Sequence, residues 1–270
     1  MTGVGATLAV ARDQGRAALI GYLPVGFPDV DTSVAAMVAM AEAGVDVVEV
    51  GVPYSDPLMD GPVIQAAVDA ALRGGARTRD AIAAAGAVAV AGAPALVMTY
   101  WNIVERYGVE AFARDLAAVG GAGVITPDLI PDEAAHWVSA SEAHDLDRVF
   151  LVAPSSTDER LRSTTQACRG FVYAASTMGV TGTRSSVGAA ARVLVERTRA
   201  VTDLPVCVGL GVSDRAQAAE VAAFADGVIV GSALVRALAE AASPAQGVAA
   251  VARLAAELAD GVRSGRVHAR

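Results

Sequence analysis

One stretch of the chain, VDVVEVGVPYSDPLMDGP at residues 45–62, holds three acidic side chains that could do chemistry, Glu49, Asp56 and Asp60. Glu49 lies inside an apolar run that is typical of a buried β-strand. A carboxylate in such a place costs free energy unless it is paired, neutralised or used in a reaction. Asp56 and Asp60 follow in a loop marked by three prolines. We predict that Glu49 and Asp60 are an acid/base pair.

Apolar surroundings predict a raised pKa for Glu49, because they disfavour its ionised form. A carboxyl group that is close to neutrality can move protons in both directions. The alternative is a structural ion pair with an inward-pointing arginine, although no arginine of a predicted strand is an obvious partner. For the two aspartates the alternative is a turn, since Asp before Pro or Gly commonly caps one. A turn or interface role is favoured for Asp56, and both interpretations stay open for Asp60.

Glycine-containing turns in the second half of the chain indicate a phosphate site. They are GVTGTRSS (179–186), GLGVS (209–213) and GSALV (231–235). Ser232 after Gly231 can open a short helix whose free N–H groups and dipole would face an anion. Gly211 permits a close approach of the backbone. Each turn alone could be only a tight loop, but three at consecutive predicted strands favour phosphate binding.

The elements that must position these residues are eight short apolar runs separated by stretches with helical periodicity. The runs are residues 17–23, 45–50, 94–100, 122–127, 147–154, 170–176, 204–211 and 226–231. Eight such units in a chain of this length predict an α/β fold, a (β/α)8 TIM barrel, as a single domain over residues 1–270. A short helix precedes the first strand, and an extra short helix follows the last. The alternative is an open, doubly wound sheet.

In a barrel, chemistry lies at the C-terminal ends of the strands, so the long loops at 52–61 and 175–187 are candidate lids or binding loops.

Composition argues against several other classes of function. The formal net charge of −8 argues against nucleic acid and anionic membranes as partners. The chain has no lysine, which excludes an internal Schiff base. Cys168 and Cys207 lack metal-ligand spacing, so we expect no metal. Neither a signal peptide nor a membrane span is expected, which predicts a cytoplasmic protein.

Several stretches together resemble the tryptophan synthase α subunit family, in the family's order and over nearly the whole chain. They are VDVVEVGVPYSDPLMDGPVIQAA, MTYWNIVERYGVEAF, GVITPDLIPDEA, APSSTDER, GFVYAASTMGVTGTR and PVCVGLGVSDRAQAAEVAAFADGVIVGSALV. The first stretch is very specific, whereas the glycine turns alone are not.

The resemblance implies a lyase that cleaves indole-3-glycerol phosphate to indole and glyceraldehyde 3-phosphate, by a retro-aldol reaction without cofactor or metal. By position, Glu49 would be the principal acid/base, at the glycerol hydroxyl and at indole C3. Asp60 would hold or accept the indole N–H proton. Tyr173 matches the family tyrosine near the glutamate.

The resemblance also assigns binding residues and a partner. The phosphate contacts would be Gly182, Gly211, Gly231 and Ser232. The indole pocket would be lined by Tyr22, Met98, Tyr100, Ile125 and Leu210. Thr181 would meet Asp60 when a lid closes. Pro53 and Asp56 would face a β subunit that carries pyridoxal phosphate, in an αββα complex, while this chain itself would carry no cofactor.

Two other functions compete with the lyase. A sugar-phosphate isomerase would share the glycine turns but not the SDPLMDGP loop beside a strand glutamate. A catalytically silent barrel could serve only as an allosteric interaction subunit. The presence of both Glu49 and Asp60 argues against that interpretation.

Overall fold

Nine parallel strands form the sheet of the computed structural model, which describes residues 3–57, 59–175, 184–209 and 211–265, without the side chains of 184–187. The strands are β1 (Ala18–Pro24), β2 (Val47–Gly51), β3 (Ala95–Met98), β4 (Gly123–Ile125), β5 (Asp147–Val149), β6 (Leu151–Val152), β7 (Val172–Ala175), β8 (Val206–Gly209) and β9 (Gly227–Val230). Their order in the sheet is β5-β4-β3-β2-β1-β9-β8-β7-β6. Every neighbouring pair is parallel, as expected for strands that are connected through helices.

The two ends of this order are adjacent in the chain, because only Phe150 separates β5 from β6. The strand β5 pairs with β4, and β6 pairs with β7. The fifth predicted run is therefore one strand in two pieces, and it brings the sheet round into a barrel. The prediction of a (β/α)8 barrel is confirmed, and the open doubly wound sheet is wrong.

Helices surround the barrel. They are α1 (Val4–Asp13), α2 (Val30–Glu42), α3 (Pro62–Arg73), α4 (Thr78–Val90), α5 (Trp101–Tyr107), α6 (Val109–Ala118), α7 (Ala135–Ala143), α8 (Asp158–Ala167), α9 (Arg184–Arg199), α10 (Arg215–Ala222), α11 (Ser232–Ala239) and α12 (Pro244–Ser264), with a 3-10 turn at Pro131–Glu133. No helix among the described residues is both long enough and apolar enough to cross a membrane.

The strands are buried on both faces, which explains their nearly continuous apolar sequences. Alternate side chains point outward against the helices, as Val48 and Val50 do, or inward to the barrel axis. The inward cluster includes Ile20, Val47, Leu96, Ile125, Val149, Phe171, Cys207 and Ile229. The barrel interior is thus a packed core, and the space for chemistry lies above it at the C-terminal mouth.

Where strands begin, at the opposite end of the barrel, buried or half-buried aspartates accept hydrogen bonds from backbone N–H groups and from arginine. The Asp46 carboxylate accepts two bonds of 2.7 Å from the Arg16 guanidinium and one of 2.8 Å from the backbone N–H of Leu19. Asp226 accepts a bond of 2.9 Å from the N–H of Val206 and lies 2.8 Å from the Arg199 guanidinium.

Helix α1 closes this end of the barrel and is tied to it by Asp147. The carboxylate of Asp147, itself only 5% exposed, accepts a hydrogen bond of 2.9 Å from the N–H of Val4. Arg169 lies 3.5 Å from the other oxygen of Asp147. A cavity of about 1030 Å³ lies between α1 and the loops that lead into the strands. Asp147 and Asp226 line it beside their arginine partners Arg169 and Arg199, so these four charges are paired with one another.

Candidate active site

Glu49 is the buried acidic residue at the mouth of the barrel. It lies two residues after Val47 of the inward cluster, so alternation along β2 points it to the interior. It is 1% exposed, and its Oε1 has no hydrogen-bond partner among the residues that the structure describes. Burial raises the pKa of Glu49 from 4.5 to about 8. No arginine side chain among those that the structure describes pairs with Glu49, and the direction of its pKa shift agrees with the prediction.

Two tyrosines flank this carboxyl group. Tyr22 is directly opposite Glu49 in the register of β1 and β2, and its side chain lies over Gly51. A Cβ at Gly51 would lie 2.5 Å from the Tyr22 hydroxyl, so glycine is required there. Tyr173 lies over Gly209 in the same way, since a Cβ there would be 2.6 Å from its hydroxyl. The two glycines make room for both hydroxyl groups beside the carboxyl group.

Asp60 belongs to the same pocket. Burial raises the pKa of Asp60 too. The pKa values of Tyr22 and Tyr173 are raised first by burial, and then by the negative charges of both Asp60 and Glu49. Each phenol therefore lies within electrostatic range of both carboxyl groups. The structure brings together the four residues Glu49, Asp60, Tyr22 and Tyr173.

The residues predicted for the indole pocket surround the same mouth where they are described. Met98 pairs with Gly51 on one side and with Ile125 on the other, at the ends of β2, β3 and β4. Ile125 is fully buried in the inward cluster, and Met98 is partly buried against it. Tyr100 follows two residues after Met98 and is 7% exposed. The predicted pocket residue Leu210 lies outside the described residues, as do the lid residue Thr181 and the phosphate contact Gly182.

The N-terminus of α11 is open at the same mouth. Gly231 directly follows β9 and is the N-cap of α11, whose first turn contains no acidic residue. Ser232 begins this helix, so its first N–H groups have no acceptor within the helix. Gly211 follows β8, the neighbour of β9, and has φ = +69°. A Cβ at Gly211 would meet nothing within 4 Å, so the glycine serves its backbone conformation, and space is open beside it.

The residues predicted to face a partner differ in exposure. Asp56 is exposed and accepts a hydrogen bond of 2.5 Å from the Ser55 hydroxyl. Pro53 is buried within this chain. Only Asp56 of the two presents its side chain to the outside, and the interface role of both stays a prediction.

Sequence reasoning missed the residues that support the loop of Asp60. Tyr54 stacks on Tyr100 with ring centroids 4.6 Å apart. The Gln65 side-chain amide donates a hydrogen bond of 2.8 Å to the carbonyl of Asp60. The available signal for Tyr54 was an aromatic residue inside the loop itself. Gln65 had none, because its polar side chain looks like any other on the surface of a helix.

This arrangement supports proton transfer by protein side chains. Glu49, with a pKa of about 8, can hold or release a proton near neutral pH, and burial also raises the pKa of Asp60. Within the described part of the chain, no group of three His, Cys, Asp or Glu side chains is placed to hold a metal ion. The open end of α11 can bind an anion a short distance away. The site therefore suits an anionic substrate whose reaction needs a proton to be moved between two positions.

Comparisons with known proteins identify the family of this chain. The sequence profile of the tryptophan synthase alpha chain family matches residues 8–263. The tryptophan synthase alpha chain of Mycobacterium tuberculosis strain H37Rv is 64% identical over 262 residues, which cover 97% of this chain and 95% of the relative. The same-named chain of Salinispora arenicola is 62% identical over 264 residues, covering 98% and 99%.

Solved structures of the same family also match this chain. A tryptophan synthase from M. tuberculosis in its aminoacrylate-bound form contains a chain that matches with a TM-score of 0.88 and 61% identity, over 96% of this chain and 98% of that chain. The tryptophan synthase subunit alpha of Legionella pneumophila matches with a TM-score of 0.87 at 29% identity, over 97% and 98%.

Proposed function

The chain belongs to the tryptophan synthase alpha chain family, a lyase that cleaves indole-3-glycerol phosphate in tryptophan biosynthesis, and we propose that Glu49 and Asp60 perform the cleavage. The products are indole and glyceraldehyde 3-phosphate. The observation that carries the proposal is the buried carboxyl group of Glu49, whose Oε1 has no hydrogen-bond partner among the described residues and whose pKa is raised to about 8. A structural carboxylate at this depth would be paired.

Glu49 moves two protons in this proposal. Its neutral form donates a proton to C3 of the indole ring, which gives an indoleninium cation. The resulting carboxylate then accepts the proton of the side-chain hydroxyl next to the scissile bond. As that proton leaves, the aldehyde C=O forms, the C–C bond breaks, and its electron pair returns to the indole ring. Glu49 ends protonated, as it began, so the reaction needs no added acid or base.

Asp60 acts at the other side of the indole ring. Protonation at C3 puts positive charge on the indole nitrogen, and a carboxylate beside that nitrogen stabilises the charge. Tyr22 and Tyr173 share the electrostatic environment of both carboxyl groups, which supports a place for each beside the reacting part of the substrate. The high pKa of each phenol keeps it protonated, so it can donate a hydrogen bond.

The phosphate group of the substrate would bind at the N-terminus of α11. The backbone N–H groups from Ser232 onward and the helix dipole would hold the anion there. The open backbone at Gly211 would form the neighbouring wall of the phosphate site. The Tyr22 ring reaches from Gly51 to Gly231, since a Cβ at Gly231 would be 3.3 Å from it, so it would lie between the two ends of a bound substrate. The substrate would be oriented because its indole end would bind at the carboxyl pair and its phosphate end at the N-terminus of α11.

A tryptophan synthase β subunit is the proposed partner, because the solved relatives are structures of tryptophan synthase. The exposed Asp56 would contact it, in an αββα complex. Pyridoxal phosphate would belong to the β subunit, and this chain would need no cofactor. The cytoplasmic location stays a prediction.

Indole release from indole-3-glycerol phosphate tests the proposal, with and without an added β subunit. We expect wild type to release indole, and Glu49→Gln to lose at least about 10³-fold in kcat. The matched control is Glu257→Gln, because Glu257 is an exposed glutamate on α12. A Glu49→Gln variant with wild-type kcat would exclude Glu49 as the acid/base. Stimulation of wild type by the β subunit would support the partner.

A further inference from the structure

The loop that carries Asp60 is fastened at the residue just before it. The N–H of Met59 donates a hydrogen bond of 3.0 Å to the hydroxyl oxygen of Tyr100. Since consecutive residues are joined by a rigid peptide unit, this bond restricts where the backbone of Asp60 can lie. The bond from Gln65 to the Asp60 carbonyl restrains the other side. Asp60 is therefore held between two points, although it lies in a loop.

Tyr100 is itself held in place. It is the N-cap residue of α5, and the next N–H, that of Trp101, donates bonds of 2.9 and 3.1 Å to the carboxylate of Asp128. The Tyr54 ring stacks on the Tyr100 ring at an interplanar angle of 29°. The amide of Asn102 donates a bond of 3.2 Å to the Tyr54 hydroxyl. Backbone and ring face thus both fix the position of the Tyr100 hydroxyl.

We propose that Tyr100 and Tyr54 are positioning residues for the cleavage reaction. The Tyr100 hydroxyl holds Met59, and through it Asp60, at the place where the indole nitrogen binds. Tyr54 supports the Tyr100 ring from its outer side. This proposal rests on the proposed role of Asp60, and it gives the hydroxyl of Tyr100 a function apart from the pocket-lining role of its ring. Placement matters because a displacement of about 1 Å at a catalytic group can cost on the order of 10²-fold in rate.

The Tyr100→Phe variant removes the hydroxyl and keeps the ring. We expect kcat to fall about fivefold to tenfold, which is the effect of one lost hydrogen bond on the reacting geometry. KM should stay within about twofold, because the ring still lines the pocket. Hydrogen exchange at the Met59 amide should become faster. For Tyr54→Phe, which keeps the stack and loses only the Asn102 bond, kcat should fall about twofold.

The matched control is Tyr107→Phe. The hydroxyl of Tyr107 donates a bond of 2.8 Å to Asp115 of α6, so the variant loses one phenol bond elsewhere on α5. We expect its kcat and its Met59 exchange rate to match wild type. An equal fall in kcat for Tyr107→Phe would mean that any lost tyrosine bond weakens the enzyme, and it would overturn the positioning role.

A double variant separates positioning from direct action. If Tyr100 acts through Asp60, adding Tyr100→Phe to Asp60→Asn leaves kcat of the single Asp60→Asn variant unchanged. The proposal would be overturned if the double variant lost kcat by the product of the two single losses. It would also be overturned if Tyr100→Phe had the kcat of wild type. Full activity of Asp60→Asn alone would instead remove the proposed role of Asp60. If only the positioning role of Tyr100 is wrong, the result differs: Asp60→Asn is impaired, while Tyr100→Phe has the kcat of wild type.

Discussion

Buried or half-buried acidic residues occur at both ends of the barrel, but their surroundings differ. Where strands begin, Asp46, Asp147 and Asp226 each accept a backbone N–H bond and face an arginine. At the mouth, Glu49 has an oxygen without a partner among the described residues and a pKa near 8. The same functional group thus stabilises the fold where it is paired, and is available for chemistry where it is not.

The pH dependence of stability is the strongest way to sharpen this comparison. The folded pKa of Glu49, about 8, lies above the usual glutamate pKa of 4.5 that we take for the unfolded chain. Folding therefore binds a proton between these values, and the wild type loses stability as pH rises through this window. Glu49→Gln cannot ionise. Its free energy of unfolding relative to wild type should rise by roughly 3 kcal/mol from pH 4.5 to pH 8.

Urea unfolding at several pH values measures this difference, and the range can be restricted to pH values at which both proteins unfold reversibly. Glu257→Gln, at an exposed position of α12, is the control and should show no such rise. A constant difference for Glu49→Gln across the range would mean that folding does not raise the pKa of Glu49.

Within the mouth, Asp60→Asn should lower kcat by about 10²-fold, because a neutral amide stabilises the charged indole nitrogen less than a carboxylate. Indole release at saturating substrate measures the effect. Asp56→Asn is a matched control in the same loop, at an exposed position. Without the β subunit, its kcat should equal that of wild type. If both variants lose activity equally, the loop and not the Asp60 carboxyl is responsible.

At the other end of the barrel, Asp226→Ala should cost about 2 kcal/mol of stability and leave kcat within about twofold of wild type. The variant leaves the Arg199 guanidinium and the N–H of Val206 without this acceptor. Urea unfolding and the indole assay measure both quantities. Asp260→Ala breaks an exposed pair with Arg263 and should change stability by less than about 0.5 kcal/mol. Lost activity in a stable Asp226→Ala would contradict the division between the two ends.

The sequence was sufficient to predict the parts of the molecule that rest on local patterns. Alternating apolar runs and helical periods predict the barrel, and a carboxyl group inside an apolar run predicts the buried Glu49. The break at Phe150 between β5 and β6 leaves no such pattern, since residues 147–152 read as one strand. The bond from Val4 to Asp147 joins residues 143 positions apart, and only the folded chain brings them together.

For the candidate site, too, the sequence predicts only what rests on a local pattern. Its carboxyl groups follow from one continuous motif, whereas the tyrosines that surround them depend on register between strands. Tyr22 meets Gly51, and Tyr173 meets Gly209, because β1 lies beside β2 and β7 beside β8. The support of Asp60 by Tyr100 depends likewise on how a loop folds back over β3.

Gly51 and Gly209 have a consequence for the engineering of this enzyme. Each holds open the space of a single methyl group, and a tyrosine hydroxyl fills that space. The width of the pocket is therefore set from behind, by the strands, and not by the side chains that a ligand would touch. Attempts to reshape the pocket by exchanging its visible lining leave this inner limit in place, so a different substrate would require a change in the barrel wall itself.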